Sequence, residues 1–169
     1  MSSLKFAILQ QRPFTDPCEE AFLALLYTAD SLQRAFYRQI RSWGLTGTQY
    51  NVLRILRGAQ PGGLTCAEIG SRMITAVPDI TRLLARLNLL GFIRQHRDTA
   101  DRRIVWTHIA PAGLDLLERM DPIVAVIPGQ LLGHLDQAEI THLIALLEAA
   151  RSGNPSAACD PSSGCPRRP

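Results

Sequence analysis

At 169 residues, with 46% hydrophobic and 20% charged side chains and a formal net charge of +3, the chain can bury one sizeable core and has an ordinary globular composition. No apolar run approaches the ~20 residues a membrane span requires, and Phe6 to Leu9 is too short for a signal-peptide core, so a cytoplasmic protein with no membrane partner is expected. Seventeen of the eighteen basic residues are arginine, a bias that suits bidentate contacts and equally fits a genome preference.

Residues 1–15 show no helical period and read as a flexible arm. Asp16-Pro17-Cys18-Glu19 then forms a helix start, with a capping carboxylate and proline at the first position. Apolar residues at Phe22, Leu25, Leu26, Ala29, Leu32, Phe36 and Ile40 predict one helix of about 27 residues, roughly 40 Å long, running to Gly44. A single small domain does not need so long a helix for its own core. Part of the apolar face of residues 16–45 is therefore expected to meet a partner chain.

Residues 46–109 read as a helix-turn-helix followed by a hairpin. Thr46 and Gln49 have capping-box spacing ahead of the stripe Tyr50, Val52, Leu53 and Leu56, and Gly58 closes that helix. Thr65 and Glu68 repeat the box at the start of a short helix carrying Ala67, Ile69 and Met73 and ending near Ile74. Thr75 is placed to cap the next helix, Pro78 is tolerated in its first turn, and Gly91 stops it. On that helix Val77, Ile80, Leu84 and Leu87 fall within roughly 80° of one another and form the buried side. Pro78, Arg82, Ala85, Arg86 and Leu89 lie opposite, with Asp79 at the margin. Small residues with two arginines suit a major groove, although a solvated arginine face has the same pattern.

Phe92 to Arg94 and Ile104 to Thr107 are β-rich, and between them runs a nine-residue basic loop, Gln95 to Arg103. Such a loop is able to place an arginine in a minor groove or on the backbone. From Arg72 to Arg103 there are seven arginines and three aspartates, so this segment accounts for the whole positive balance. That concentration is the electrostatic footprint of a nucleic-acid binder.

Residues 110–153 read as C-terminal dimerisation helices. Leu114, Leu117, Met120, Val124, Ile127 and Leu131 continue one helical pattern, with Pro122 and Pro128 expected to kink or divide it. Asp136 and Glu139 cap a last helix bearing Ile140, Leu143, Ile144 and Leu147, up to Gly153. The terminal helices carry more apolar surface than a small winged unit can cover, which calls for a homodimer. Residues 154–169 have the composition of a disordered tail.

DITRLLARLNLLGFIRQH, the DRR of Asp101 to Arg103, and the IAPAG ending at Gly113 together resemble the multiple-antibiotic-resistance regulator (MarR) family. The similarity extends over roughly residues 20–150 and departs at Ala110, where the family carries a threonine cap; Pro111 at the first helical position compensates. The resemblance implies a mainly α fold with a small β-wing, a winged helix-turn-helix flanked by long dimerisation helices. It implies a homodimeric repressor binding an inverted-repeat operator in double-stranded DNA and released by a small-molecule effector. Thr75, Pro78, Asp79, Arg82 and Arg86 would serve the recognition helix, and Arg97, Arg102 and Arg103 the wing. Asp79 would accept from a cytosine or orient Arg82, and Asp101 would be an internal partner of the wing, holding an arginine. Tyr27, Tyr37, Trp43 and Tyr50 would contribute to an effector pocket.

Two other readings compete. One is a winged-helix interaction module that does not read DNA. The other is a cysteine-based redox sensor, for which Cys66 lies near a helix start and Cys18 falls several residues earlier than the family's sensing cysteine. Cys159 and Cys165 would pair only under oxidising conditions. No nucleophile–base pair or metal-ligand spacing is present, His134 and His142 being eight residues apart, so neither enzymatic activity, a metal nor a cofactor is expected.

Overall fold

Capping accounts for most element boundaries in the computed structural model, which describes residues 3–153. The order is α1 (Ser3–Ala7), α2 (Pro17–Arg41), α3 (Gly47–Gly58), α4 (Cys66–Ser71), α5 (Ile80–Leu89), β1 (Ile93–Arg97), β2 (Val105–Ile109), α6 (Pro111–Leu132) and α7 (Gln137–Ser152). The described residues divide between Tyr50 and Asn51 into two compact units. The expected tail, with Cys159 and Cys165, lies outside the described residues.

The first unit opens with a short helix where an irregular arm was expected, and Leu4 within it is buried. One helical turn is too short to express a 3.6-residue period, which is why the pattern hid it. In α2 the Asp16 carboxylate accepts from the Cys18 amide at 2.8 Å, and Pro17 follows at the first position. Ile40 is fully buried, whereas Phe22 is 60% and Leu26 52% exposed. The Thr46–Gln49 box forms, the Thr46 amide donating to Gln49 Oε1 at 2.8 Å and the Gln49 amide to Thr46 Oγ1 at 3.2 Å.

In the second unit, Val52, Leu53 and Leu56 of α3 are buried, as the stripe predicts. α4 ends at Ser71, a little before the expected Ile74. β1 and β2 pair antiparallel with Ile93 opposite Ile109 and Arg97 opposite Val105. Leu64 adds a bridge to Thr107, with both backbone bonds made at 2.9–3.0 Å. Leu64, Ile69, Leu84, Leu87, Ile93, Thr107 and Ile109 are all buried, which locks α4, α5 and the hairpin together. Gly91 has φ +75°, the left-handed value that ends α5 and turns the chain into β1.

Three boundaries correct the sequence reading. α5 begins at Ile80 with Asp79 as its N-cap, so Thr75 and Pro78 precede the helix. Val77 stands before proline and is β-branched, and both properties oppose the helical conformation a Thr75 cap would require. The strands extend to Arg97 and from Val105, leaving a seven-residue loop, 98–104, instead of nine. α6 runs unbroken through Pro122 and Pro128, with Leu116, Leu117, Met120, Val124 and Ile127 buried along one side. Each proline removes one backbone bond, and burial of a continuous apolar face outweighs that loss. Ala110 makes no side-chain cap and Pro111 occupies the first position, as the departure from the family pattern implied.

The last helix has its capping box, Asp136 and Glu139 exchanging bonds of 2.8 Å, yet none of its residues is buried. Ile144 is 52% and Leu146 55% exposed, and on α6 Val126 is 53% exposed. Among the described residues no helix is long and apolar enough to cross a membrane.

Candidate nucleic-acid interface

The surface is built from α4 upward. The Thr65 amide donates to Glu68 Oε2 at 2.8 Å and the Glu68 amide donates to Thr65 Oγ1 at 3.3 Å. The Thr65 amide, and after it the Thr65 hydroxyl, which donates to the same Oε2 at 2.8 Å, stabilise the ionised form and hold the Glu68 carboxyl below its usual range. The turn between α4 and α5 is fastened from α3, where Asn51 Oδ1 accepts from the Ile74 amide at 3.1 Å. Asp79 Oδ1 accepts from the Arg82 backbone amide at 2.8 Å. Asp79 thus orients Arg82 through its main chain, and one carboxylate oxygen is committed to the cap.

α5 divides as its periodicity requires. Leu84 and Leu87 are buried, and Val77, Ile80 and Leu83 are half-buried. Arg82, Ala85, Arg86 and Leu89 face outward with Pro78, and Leu89 is 76% exposed. Neither Arg82 nor Arg86 has an ion-pair partner among the described residues. Two guanidinium groups four residues apart project from the same helix face without internal use.

The wing loop is held by two aspartates, and the sequence reading assigned a role to only one. Asp98 Oδ1 accepts from the Ala100 and Asp101 amides at 2.8 and 3.0 Å, while Oδ2 accepts from Trp106 Nε1 at 2.8 Å. These three donors, the Asp101 amide foremost, hold the Asp98 carboxyl below its usual value. Asp101 Oδ1 accepts from the Arg103 amide at 2.9 Å, so it stiffens the loop through the backbone, and among the described residues it pairs with no guanidinium. Asp98 was legible in principle, since an aspartate bonding its own chain two and three residues on is a standard turn device. Arg97, Arg102 and Arg103 are exposed, and none forms an ion pair among the described residues.

A cavity of about 510 Å³ lies between the helices and the wing, lined by Thr65, Cys66, Thr81, Ala85, Gln95 and Arg103 among others. Cys66 Sγ is 3.8 Å from Thr81 Oγ1. Cys18 is exposed at the start of α2.

The four expected effector residues all belong to the first unit. Tyr37 and Tyr50 gather on Phe36, with ring centroids 6.0 and 5.8 Å from it. Tyr50 is buried, Tyr37 and Trp43 are half-buried, and Tyr27 is 41% exposed. Ten residues of helix separate Tyr27 from Tyr37, about 15 Å, which places Tyr27 outside that cluster. A cavity of about 410 Å³ beside Tyr37 is lined by Ser31, Arg34, Arg38 and Arg41.

This geometry matches known proteins. The MarR family model matches residues 43–104. A MarR transcription factor from Planctomyces limnophilus is 34% identical, with TM-score 0.63, over 81% of this chain and 99% of that one. The chain belongs to the MarR family. The regulator is also 29% identical to YkoM of Bacillus subtilis, an HTH-type transcriptional regulator, over 67% of this chain and 72% of YkoM. It shares its fold with Bordetella bronchiseptica BpsR, at 24% identity and TM-score 0.69, over 78% of this chain and 98% of the other. The protein is a DNA-binding, winged helix-turn-helix transcriptional regulator.

Proposed function

We propose that the regulator is a homodimeric repressor that reads an inverted-repeat operator with α5 and grips the flanking backbone with its wing. The observation that carries this is the set of exposed guanidinium groups without ion-pair partners at Arg82, Arg86, Arg97, Arg102 and Arg103, beside a helix whose opposite face is buried. Arg82 and Arg86 would pair with guanine edges or phosphates in the major groove, with Thr75 and Pro78 at the approach to it. Arg97, Arg102 and Arg103 would meet the backbone or the adjacent minor groove. The exposed apolar side chains of α2, α6 and α7 favour a second copy of the chain as their cover. A dimer then presents two reading helices to half-sites about one turn of DNA apart, roughly 34–36 Å.

DNA binding by BpsR is regulated by 6-hydroxynicotinic acid, and control by a small molecule is proposed here as well. Tyr37 and Tyr50, with Trp43 and Tyr27 nearer the surface, are the aromatic groups of the first unit that would contribute to such a site. An effector need only prefer the form with misplaced reading helices, and a 100-fold preference is about 2.7 kcal/mol. Cytoplasmic action follows from this role.

The test is the salt dependence of binding. If about six of the ten arginines in a dimer meet phosphate, log K against log salt falls with a slope near −5. Lengthening the spacer between half-sites by five base pairs turns one half-site by half a turn and should abolish cooperative binding. A shallow slope refutes the arginine footprint, and full affinity on the lengthened site refutes the rigid dimer.

A further inference from the structure

We propose that His96 and His108, stacked on the outer face of the wing hairpin, act as a one-proton switch that tightens DNA binding in mildly acidic solution. The inference rests on the wing's contact with DNA. Strand register sets up the pair. Arg94 lies opposite His108 and His96 opposite Trp106, so these four side chains share one face, whereas Ile93, Thr107 and Ile109 are buried on the other. The two imidazoles are diagonal neighbours with centroids 5.0 Å apart and planes only 19° from parallel. His108 is also held from behind. A Cβ at Gly63 would stand 2.5 Å from its Nε2, so this ring rests directly on the chain leading into α4.

The charges around the pair are few and of known sign. Arg94 is the register partner of His108 and opposes protonation. Asp98, whose carboxyl stays ionised well below neutrality, acts on His96 with the opposite sign. The segment Ala59 to Gly63 behind His108 contains no charged residue, and Trp106 is neutral. Two neutral rings stack without electrostatic cost, and one imidazolium over a neutral ring is favourable, because the π face attracts a cation. Two imidazolium rings at this distance repel. At a centroid separation of 5.0 Å the pair therefore accepts a first proton more readily than a second.

His96 lies two residues from Asp98, about 7 Å along the strand from the wing loop. A charge there falls within the Debye length of roughly 8–10 Å of any phosphate the loop meets. Each wing that gains such a charge adds up to about 0.9 to the magnitude of the salt slope, so a dimer gains up to about 1.8 between pH 8 and pH 6.

The experiment measures fluorescence anisotropy of a random-sequence duplex over a salt series at pH 8 and pH 6. It compares the full chain with His96→Gln, His108→Gln and the double variant, and follows the imidazole resonances by NMR. The wild-type slope should steepen on acidification, each single variant should keep a comparable increment because one ring still titrates, and the double variant should lose it. In the wild type the two imidazoles should titrate in separate steps, and in each single variant the remaining ring should titrate once. An increment retained by the double variant, a doubled increment in the wild type, or simultaneous titration of both rings overturns the switch. Arg97→Ala separates the two failures. If it flattens the slope while pH does not alter it, the switch is wrong and the wing contact stands; if neither alters it, the wing contact fails and the switch with it.

Discussion

The reading unit and the terminal helices are incomplete in opposite ways. On α5 and the wing, guanidinium groups project with no acidic partner among the described residues, while the backbone beneath them is tied down by Asp79, Asp98 and Asp101. On α6 and α7 the caps are equally well made, but Val126, Ile144 and Leu146 stand more than half exposed. A cationic surface without internal counterions calls for a polyanion, and an apolar surface without cover calls for another protein chain. The two deficits are those that the proposed operator and the proposed second copy of the chain would fill. In both regions aspartates cap and order the main chain so that the side chains used outward are held still.

The strongest way to break this contrast is to charge the apolar side. Ile144→Asp combined with Leu147→Asp should give a folded monomer in light scattering and lower operator affinity by about 10²–10⁴-fold, the range by which linked sites exceed one. A double variant that stays dimeric at micromolar concentration would move the interface away from α7. On the cationic side, Arg82→Ala should cost specific binding about 1–3 kcal/mol and relax sequence preference at one position. Arg97→Ala, in contrast, should weaken operator and random DNA evenly. Equal losses on both DNAs from both variants would erase the division between base reading and backbone grip.

A smaller effect should sharpen the comparison within the second unit. Arg57 clamps Asp121 of α6 from α3, through two bonds of 2.7 and 3.1 Å. Both side chains remain partly exposed, at 29% and 45%, so solvent screens the pair. Asp121→Ala should lower stability in urea by about 0.5–1 kcal/mol; an unchanged unfolding midpoint would show the clamp to be energetically silent.

The smallest predicted change is in the wing at low pH. Because the folded-state carboxyl of Asp98 lies below its unfolded value, its contribution is present above about pH 3.9 and is lost as pH falls through the depressed folded value. Trp106 donates to that carboxylate, so in a Trp43→Phe background its fluorescence should report the loss. Asp98→Asn should move or abolish the transition while α7, far along the chain, keeps its helical signal. A transition untouched by this substitution would assign it to other carboxylates.

Much of this was legible residue by residue. The boxes at Thr46, Thr65 and Asp136, the stop at Gly91 and the two faces of α5 depend on groups three or four positions apart, and each was found where local spacing placed it. Thr75 was a plausible cap by type, but Pro78 and the β-branched Val77 delayed the helix to Ile80. The polar run Gln95-His96-Arg97 concealed strand because its outward residues need not be apolar on a wetted hairpin. The gathering of Tyr37 and Tyr50 on Phe36, with Tyr27 left outside, needed the return of the chain from α2 into α3.

By itself, then, the sequence determined the helices after α1, the caps at Asp16, Thr46, Thr65 and Asp136, the buried side of α5 and the concentration of arginine from Arg72 to Arg103, since periodicity, capping and net charge act over a few residues or none. Tertiary structure decided that the Trp106 indole donates to Asp98, that Asn51 fastens the turn before α5, and that His96 and His108 stack. Each of these joins groups whose separation in the chain carries no signal, Ile74 to Asn51 across 23 positions and Trp106 to Asp98 across eight. Such contacts arise only when strand register and helix packing bring two polar or aromatic groups within a few ångströms. Their energies depend on that distance, and distance in space is what a linear pattern leaves open.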